Sequence, residues 1–503
     1  MNALHEFLRK LTRNALAGLL ALSLALPPGT AIANPEDLPE IGSPSDAVLS
    51  KQQETQIGRA IYRSLRSSGA IIIDPEIQEY IQSVGQRLGV HAQDGDQRFR
   101  FFVINDPVIN AFALPGGYIG IHSGLMLATE TESELAGVLA HEISHVTQRH
   151  ISRAIYANQR VSIFTMAAML GAILLGAAAG AGGDAIAGAV SAGQSIAAQE
   201  QINFTRSNEY EADRVGVGVM VDAGFDPQGM PDFFETMARN SSTLSNQVPE
   251  FLLTHPVTTN RIAETRNRAE QYPVVETVDT NGYSLAKARL RLVTTSRPEA
   301  AMSYFENELE NPKEVGKLGP EYGIALAYLE LGKARKSAQK FEELLSSNEG
   351  VIQFHTGKAM AQLRMGDTEA AMTTFSNAME LFPRNVPLTL RYSEALLEQG
   401  NAELAHEVLL DLLNQVPPTS EQVRLIALAA SAAGDSADAH YYMAEYHIIN
   451  GDLPLAADQL RLALSIPGLE SVQRARFTAR LKEVQQYMPR PQNSSRSAGK
   501  QAE

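Results

Sequence analysis

The sequence predicts a mainly α-helical protein, with an α+β domain in its first half and an α-solenoid in its second. Three observations predict it. Apolar residues recur at three- and four-residue spacing around the pentapeptide His141-Glu142-Ile143-Ser144-His145, and helix follows helix from about residue 284 to 487. Strand-like runs are short, at residues 101–105 and 118–121. Gly332, Gly366, Gly400 and Gly434 recur at intervals of 34 residues, a period of stacked helix pairs. At 503 residues and 44% hydrophobic the chain can bury more than one core, and 6% aromatic content without Trp points to Ala- and Leu-rich packing.

In chain order, Arg9, Lys10 and Arg13 precede an apolar run at 15–26 and then Ala31-Ile32-Ala33, the three parts of a secretory signal peptide over residues 1–33. Its removal takes away three basic residues and one acidic one and moves the net charge from −15 to −17, which argues against nucleic acid as a partner. The absence of cysteine excludes disulfides, thiolate metal ligands, a catalytic thiol and a lipid carried on an N-terminal cysteine. If the source is a Gram-negative bacterium, a signal with no stop-transfer segment beside it would place the mature protein in the periplasm. Residues 34–50 read as a flexible leader rich in Pro, Glu and Ser.

The next unit spans residues 51–272. Helical spacing at 60–65 and 77–88 is followed by the two strand-like runs, and Pro115-Gly116-Gly117 marks a turn before the second. Gly117 and Gly120 suggest an edge strand that pairs with an extended peptide substrate. Leu135, Val138, Leu139 and Ile143 then outline an amphipathic helix on which His141 and His145 stand four apart. Two imidazoles so placed converge on one tetrahedral ion, about 2.0–2.1 Å from each nitrogen. Glu142, offset by one residue, lies near that ion without ligating it, where it can take a proton from bound water.

Residues 161–183 carry no charge, but Ala and Gly dominate there and continue to 198. That stretch reads as a movable cover or peripheral membrane contact, as ordinary buried helices, or as a membrane span. In the segment 203–216, Glu209 and Asp213 share one helix face. Glu209 can complete the ligand set while Asp213 accepts the distal N–H of a ligand histidine, although Glu211 could equally be the ligand. Pro256 biases His255 towards an extended conformation before a helix. From there it could reach the open metal position, hydrogen-bond a tetrahedral intermediate, or serve only the helix start. His122 and His150 read as structural.

Residues 273–488 carry the 34-residue period of tetratricopeptide repeats. In the clearest copy, 352–385, Gly366-Asp367 forms the turn and Ala371, Phe375, Ala378 and Pro383 follow in phase. Because each repeat contacts only its neighbours, the array from about 284 onward is expected to detach from the catalytic core. The tail 489–503 is Ser-, Gln- and Pro-rich and reads as disordered.

With His141-Glu142-Ile143-Ser144-His145, the segment 208–216 and the stretch 110–117, residues from about 50 to 272 resemble the zinc metallopeptidases typified by the prenyl protease and HtpX. The resemblance implies a gluzincin-type α+β domain, one Zn2+ per chain on His141, His145 and Glu209, and Glu142 as catalytic base. Members with an added signal peptide and tetratricopeptide repeats imply quality control of outer-membrane β-barrel proteins near their assembly complex. Two functions follow. One is a zinc endopeptidase that degrades misfolded or misassembled outer-membrane proteins and assists β-barrel assembly. The other is a repeat-based chaperone or adaptor on the assembly machinery whose protease is largely latent. In either, residues 161–198 and the His255 loop are expected to restrain the free enzyme.

Overall fold

The computed structural model describes residues 49–92, 98–157, 206–243, 250–273, 280–310, 316–414 and 418–488. The expectations for the signal peptide 1–33, for the leader up to residue 48, for the run 161–198 and for the tail 489–503 lie outside these residues. Among the described residues, no helix is long and apolar enough to cross a membrane.

Helix α1 (Lys51–Ser67) starts at a capping box between Ser50 and Gln53, and α2 (Pro75–Gly89) starts at Asp74, whose carboxylate accepts the N–H of Ile77. A three-stranded sheet follows, built from β1 (Arg100–Ile104), β2 (Ala111–Leu114) and β3 (Tyr118–His122). The strand order is β1-β3-β2, with β1 parallel and β2 antiparallel to β3. This corrects the expected edge: β3, with Gly120, is the central strand, and β2 lies at the edge beside the pentapeptide helix. Gly120 pairs with Phe112, whose ring would stand 2.3 Å from a Cβ at that position. The glycine makes room for a cross-strand aromatic and not for a substrate.

After α3 (Ser123–Ala128) comes α4 (Glu132–Thr147), which carries the pentapeptide and is capped by Thr131. Every residue from Glu132 to His145 is buried, so the polar face of this helix meets other side chains rather than solvent. Helices α5 (His150–Ala157), α6 (Arg206–Asp222), α7 (Gly229–Thr243), α8 (Glu250–Thr254) and α9 (Thr259–Ala269) complete this half, with α6 and α7 packed on α4.

The second half is helical throughout its described residues. Its helices are α10 (Asn281–Thr294), α11 (Pro298–Glu310), α12 (Leu318–Glu330), α13 (Ala334–Ser347), α14 (Ile352–Met365), α15 (Thr368–Leu381), α16 (Val386–Glu398), α17 (Ala402–Leu413), α18 (Ser420–Ala432), α19 (Ser436–Ile449), α20 (Leu453–Ser465) and α21 (Ser471–Tyr487). Gly332, Gly366, Gly400 and Gly434 all take φ between 71° and 88°, the left-handed turn that lets one helix double back on the last. Ala371, Phe375 and Ala378 are fully buried between neighbouring helices.

The two halves share a core. Tyr283, Ala286 and Leu290 of α10 belong to the apolar cluster that holds Leu135, Val138 and Leu139 of α4. The Tyr283 hydroxyl donates to the Thr129 carbonyl at 2.9 Å, and Glu132 accepts the Thr280 hydroxyl at 2.7 Å. Arg289 reaches Asp74 at 2.8 Å and Glu76 at 3.2 Å, while Arg66 of α1 donates to Ser420 of α18 at 2.5 Å and pairs with Glu421. A cut at residue 284 would therefore strip Ala286 and Leu290 out of the core around α4, because the first helix of the array also serves as a wall of that core.

Candidate metal centre

Three helices and one short loop deliver the site. On α4 the one-turn spacing stacks His141 over His145, with Nε2 atoms 3.0 Å apart. On α6 the same spacing puts Glu209 and Asp213 on the face towards α4. Glu209 stands 3.6 Å from His141 Nε2 and 3.5 Å from His145 Nε2, and Asp213 stands 2.9 Å from His141 Nδ1. His255, just past α8, turns Nδ1 to within 3.4 Å of His141 Nε2 and 3.2 Å of Glu209. Its Nε2 lies 3.4 Å from Glu142.

The donor atoms of His141, His145, Glu209 and His255 all lie within 4.8 Å of one another, and all four residues are buried. Donors about 2.0–2.1 Å from one tetrahedral ion stand about 3.3–3.5 Å apart. The set therefore fits a nitrogen- and oxygen-liganded divalent ion of the zinc type.

Charge points the same way. Glu142, Glu209 and Asp213 are each at most 3% exposed, and the cation among them is Arg261, itself 2% exposed. Arg261 forks onto Asp213 through two bonds of 2.7 Å and reaches Glu209 at 2.8 Å. Burial by itself opposes charge on His141, yet the Asp213 and Glu209 carboxylates push it up to about 9. Burial also opposes charge on Glu209, but His255 and His141 hold it well below the ordinary carboxylate range. The corner is thus a buried acidic pocket that calls for positive charge on the imidazole side. Burial raises Glu142 above the usual range, although His255 and His141 work against the shift. Burial, reinforced by His141, holds His145 well below its usual value, in the neutral form that ligation needs.

Several residues take places that the sequence left open. Glu211 lies outside the donor cluster and pairs instead with His150 at 3.2 Å and Arg153 at 2.8 Å. His150 in turn lies 2.8 Å from His145 Nδ1, so it braces the second histidine from behind. Burial lowers its own pKa to about 4 despite Glu211. His122 lies outside the donor cluster and stands 3.8 Å from Asp106.

Sequence reasoning missed Arg261. Its signal was weak but present: it lies three residues after the helix cap Thr258 and shares a buried face with the small Thr265 and Ala269, an odd place for a cation.

Comparison with known proteins bears on the same residues. Residues 75–269 match peptidase family M48, and residues 362–429 match the tetratricopeptide repeat. Over 483 residues, 96% of this chain and 98% of the relative, the sequence is 35% identical to the beta-barrel assembly-enhancing protease of Escherichia coli K12. It is 35% identical over 469 residues to a putative beta-barrel assembly-enhancing protease of Vibrio cholerae, covering 93% of this chain and 96% of that one. A shorter match, 32% identical over 172 residues, joins 33% of this chain to 45% of the mitochondrial metalloendopeptidase OMA1 of Saccharomyces cerevisiae.

Proposed function

Since the chain belongs to peptidase family M48 and, along nearly its whole length, to the beta-barrel assembly-enhancing proteases, we propose that this metalloprotease is a zinc endopeptidase of the periplasm. It degrades misfolded or misassembled outer-membrane proteins and assists β-barrel assembly. The observation that carries the reading is the buried His141, His145 and Glu209 donor set with Glu142 beside it. Zinc held there supplies Lewis acidity and lowers the pKa of water at the site to about 7.

The chain's own residues do the rest. Glu142, one residue from the first ligand and 3.4 Å from His255 Nε2, takes the proton from the attacking water and hands it to the leaving amine. Asp213 fixes the tautomer and orientation of His141, and Arg261 fixes Asp213 and Glu209 together. The edge strand β2 presents its outer side to an extended polypeptide, which favours an unfolded substrate. The repeats hold the enzyme at the outer-membrane assembly complex.

The place of His255 favours a second reading, a largely latent protease whose repeats act as chaperone or adaptor. The His255 imidazole, 3.4 Å from His141 Nε2 and 3.2 Å from Glu209, is positioned as a fourth donor. Substitution of His255 by Ala separates the two: a rise in basal proteolysis marks a plug, and a loss with zinc retained marks a group that stabilises the transition state. The test of the main reading is digestion of a urea-unfolded outer-membrane β-barrel protein by the purified chain. Fragments should appear, stop with a chelator and return with Zn2+, while the folded barrel stays intact. Cleavage indifferent to chelator would sink it.

A further inference from the structure

The geometry points to a binding site, separate from the metal centre, for the free carboxyl end of an unfolded polypeptide whose last residue is large and apolar. The site is an open-sided cleft of about 400 Å³ where the first solenoid helix α10 faces the loop before β2 and helix α3. Pro107, Ile109, Leu127 and Ala128 give it an apolar wall, and Arg291 and Asn105 give it polar donors. A cavity of about 300–1,000 Å³ with an apolar lining and a few convergent polar groups is the ordinary form of a ligand pocket.

Arg291 is what makes the cleft specific. It has no hydrogen bond or ion pair from its side chain to any described residue, and its Nε is buried without a partner. Its guanidinium lies 4.5 Å over the ring of Tyr304. Stacking satisfies the face of a guanidinium and leaves its edge, with its N–H donors, free for a planar anion. Arg289, two residues earlier on the same helix, spends its donors on Asp74 and Glu76, so the free edge of Arg291 is not a general property of α10. Asp106, the acid beside the cleft in sequence, accepts the Val108 N–H at 3.0 Å and lines no part of the cavity. The Asn105 side-chain amide likewise has no partner among the described residues.

An anion that also carries apolar bulk fits this lining. In a C-terminal residue the carboxylate and the side chain leave the same Cα, so one residue can meet the guanidinium edge and the apolar wall together. An internal Asp or Glu cannot, because its charge stands at the end of its only side chain. A polypeptide is favoured over other carboxylates by what lies next to the cleft. Ile109 is two residues from Ala111, where β2 begins, and among the described residues β2 pairs on one side only. A chain leaving the cleft thus meets a strand edge. Strand β2 in turn packs on α4, the helix that carries Glu142. The consequence, that the enzyme selects chain ends for cutting, rests on the peptidase reading; the binding does not.

The test is fluorescence anisotropy of the full-length chain carrying Glu142→Gln, which keeps the probe uncut. The probes are a labelled unstructured decapeptide ending in Leu with a free carboxylate, the same peptide as its C-terminal amide, and one ending in Ser. The free acid ending in Leu should bind about tenfold tighter than either control, the scale of a charge-assisted bond. Arg291→Gln should remove the preference for acid over amide, and Ala128→Phe should fill the cleft and weaken the Leu peptide, both without a change in thermal unfolding. Equal binding of acid and amide to the unsubstituted cleft overturns the proposal even if a variant fails to fold. Decanoate that binds more tightly than the peptide and depends on Arg291 marks a fatty-acid site and overturns the peptide as occupant. Chelator-sensitive digestion of an unfolded barrel, run alongside on the native chain, reports on the peptidase reading separately.

Discussion

The corner where α4, α6 and α9 meet and the stack of helices from α11 onward hold themselves together by opposite means. In the corner, His141, Glu142, His145, Glu209, Asp213 and Arg261 are all at most 3% exposed, and each is tolerable there only because another stands beside it. In the stack, Phe341, Phe354 and Phe375 are as deeply buried, but among aliphatic and aromatic side chains that ask for shape and not for an opposite charge. Loss of one member of a buried polar network strands the others. Loss of one apolar side chain leaves a hole felt by its neighbours. Between the two, α10 belongs to both regions, with Tyr283 in the catalytic core and Leu285 in the solenoid.

Six substitutions sharpen or break that contrast. The largest effect belongs to Glu142→Gln, which should lower proteolysis by about 10²–10⁴-fold, the scale of general base catalysis. Metal analysis should still find near one zinc per chain, since the ligands remain; retained cleavage by the zinc-loaded variant would remove Glu142 from its role. Next comes Glu209→Gln, expected to weaken zinc binding more than about 100-fold, whereas Glu211→Gln, acting only through His150, should cost less than about 10-fold. Competition with a chromophoric chelator measures both, and the reverse order would move the ligand to Glu211.

Arg261→Leu leaves Asp213 and part of Glu209 buried without their cation and should cost about 3–5 kcal/mol of stability in urea unfolding. Phe375→Ala should cost a similar amount, about 3–5 kcal/mol, by leaving a cavity. Only the first should also lower zinc affinity, because only the corner fails as a unit. Equal zinc affinity in the two variants would break the comparison.

The smallest effect tests the seam. Burial raises Glu79, which accepts from Asn385, to about 7. In the unfolded chain this carboxyl loses its proton near its ordinary value, so the folded state holds the proton longer. Stability should fall as pH rises from about 4.5 to about 7 and level off above, by about 3 kcal/mol in all. Glu79→Gln should flatten that decline, and a variant with an unchanged pH profile would show that the seam does not strain this group.

The sequence by itself determined the local features: the helix with His141, Glu142 and His145 in phase, the shared face of Glu209 and Asp213, and the 34-residue rhythm with its left-handed glycines. Each depends on spacings of one or two turns, which the backbone imposes wherever a helix forms. The tertiary structure alone decided what arrives from far along the chain. It brought Glu209 rather than Glu211 to the histidines, through the face on which α6 packs against α4. It brought Arg261 from α9 to bridge Glu209 and Asp213, and placed β2 rather than β3 at the sheet edge, with the Phe112 ring over Gly120 of the central strand. It also made α10 a wall of the catalytic core. Those outcomes are set by packing between segments tens to more than a hundred residues apart, and a periodicity read along one segment holds no information about which neighbour its faces will meet.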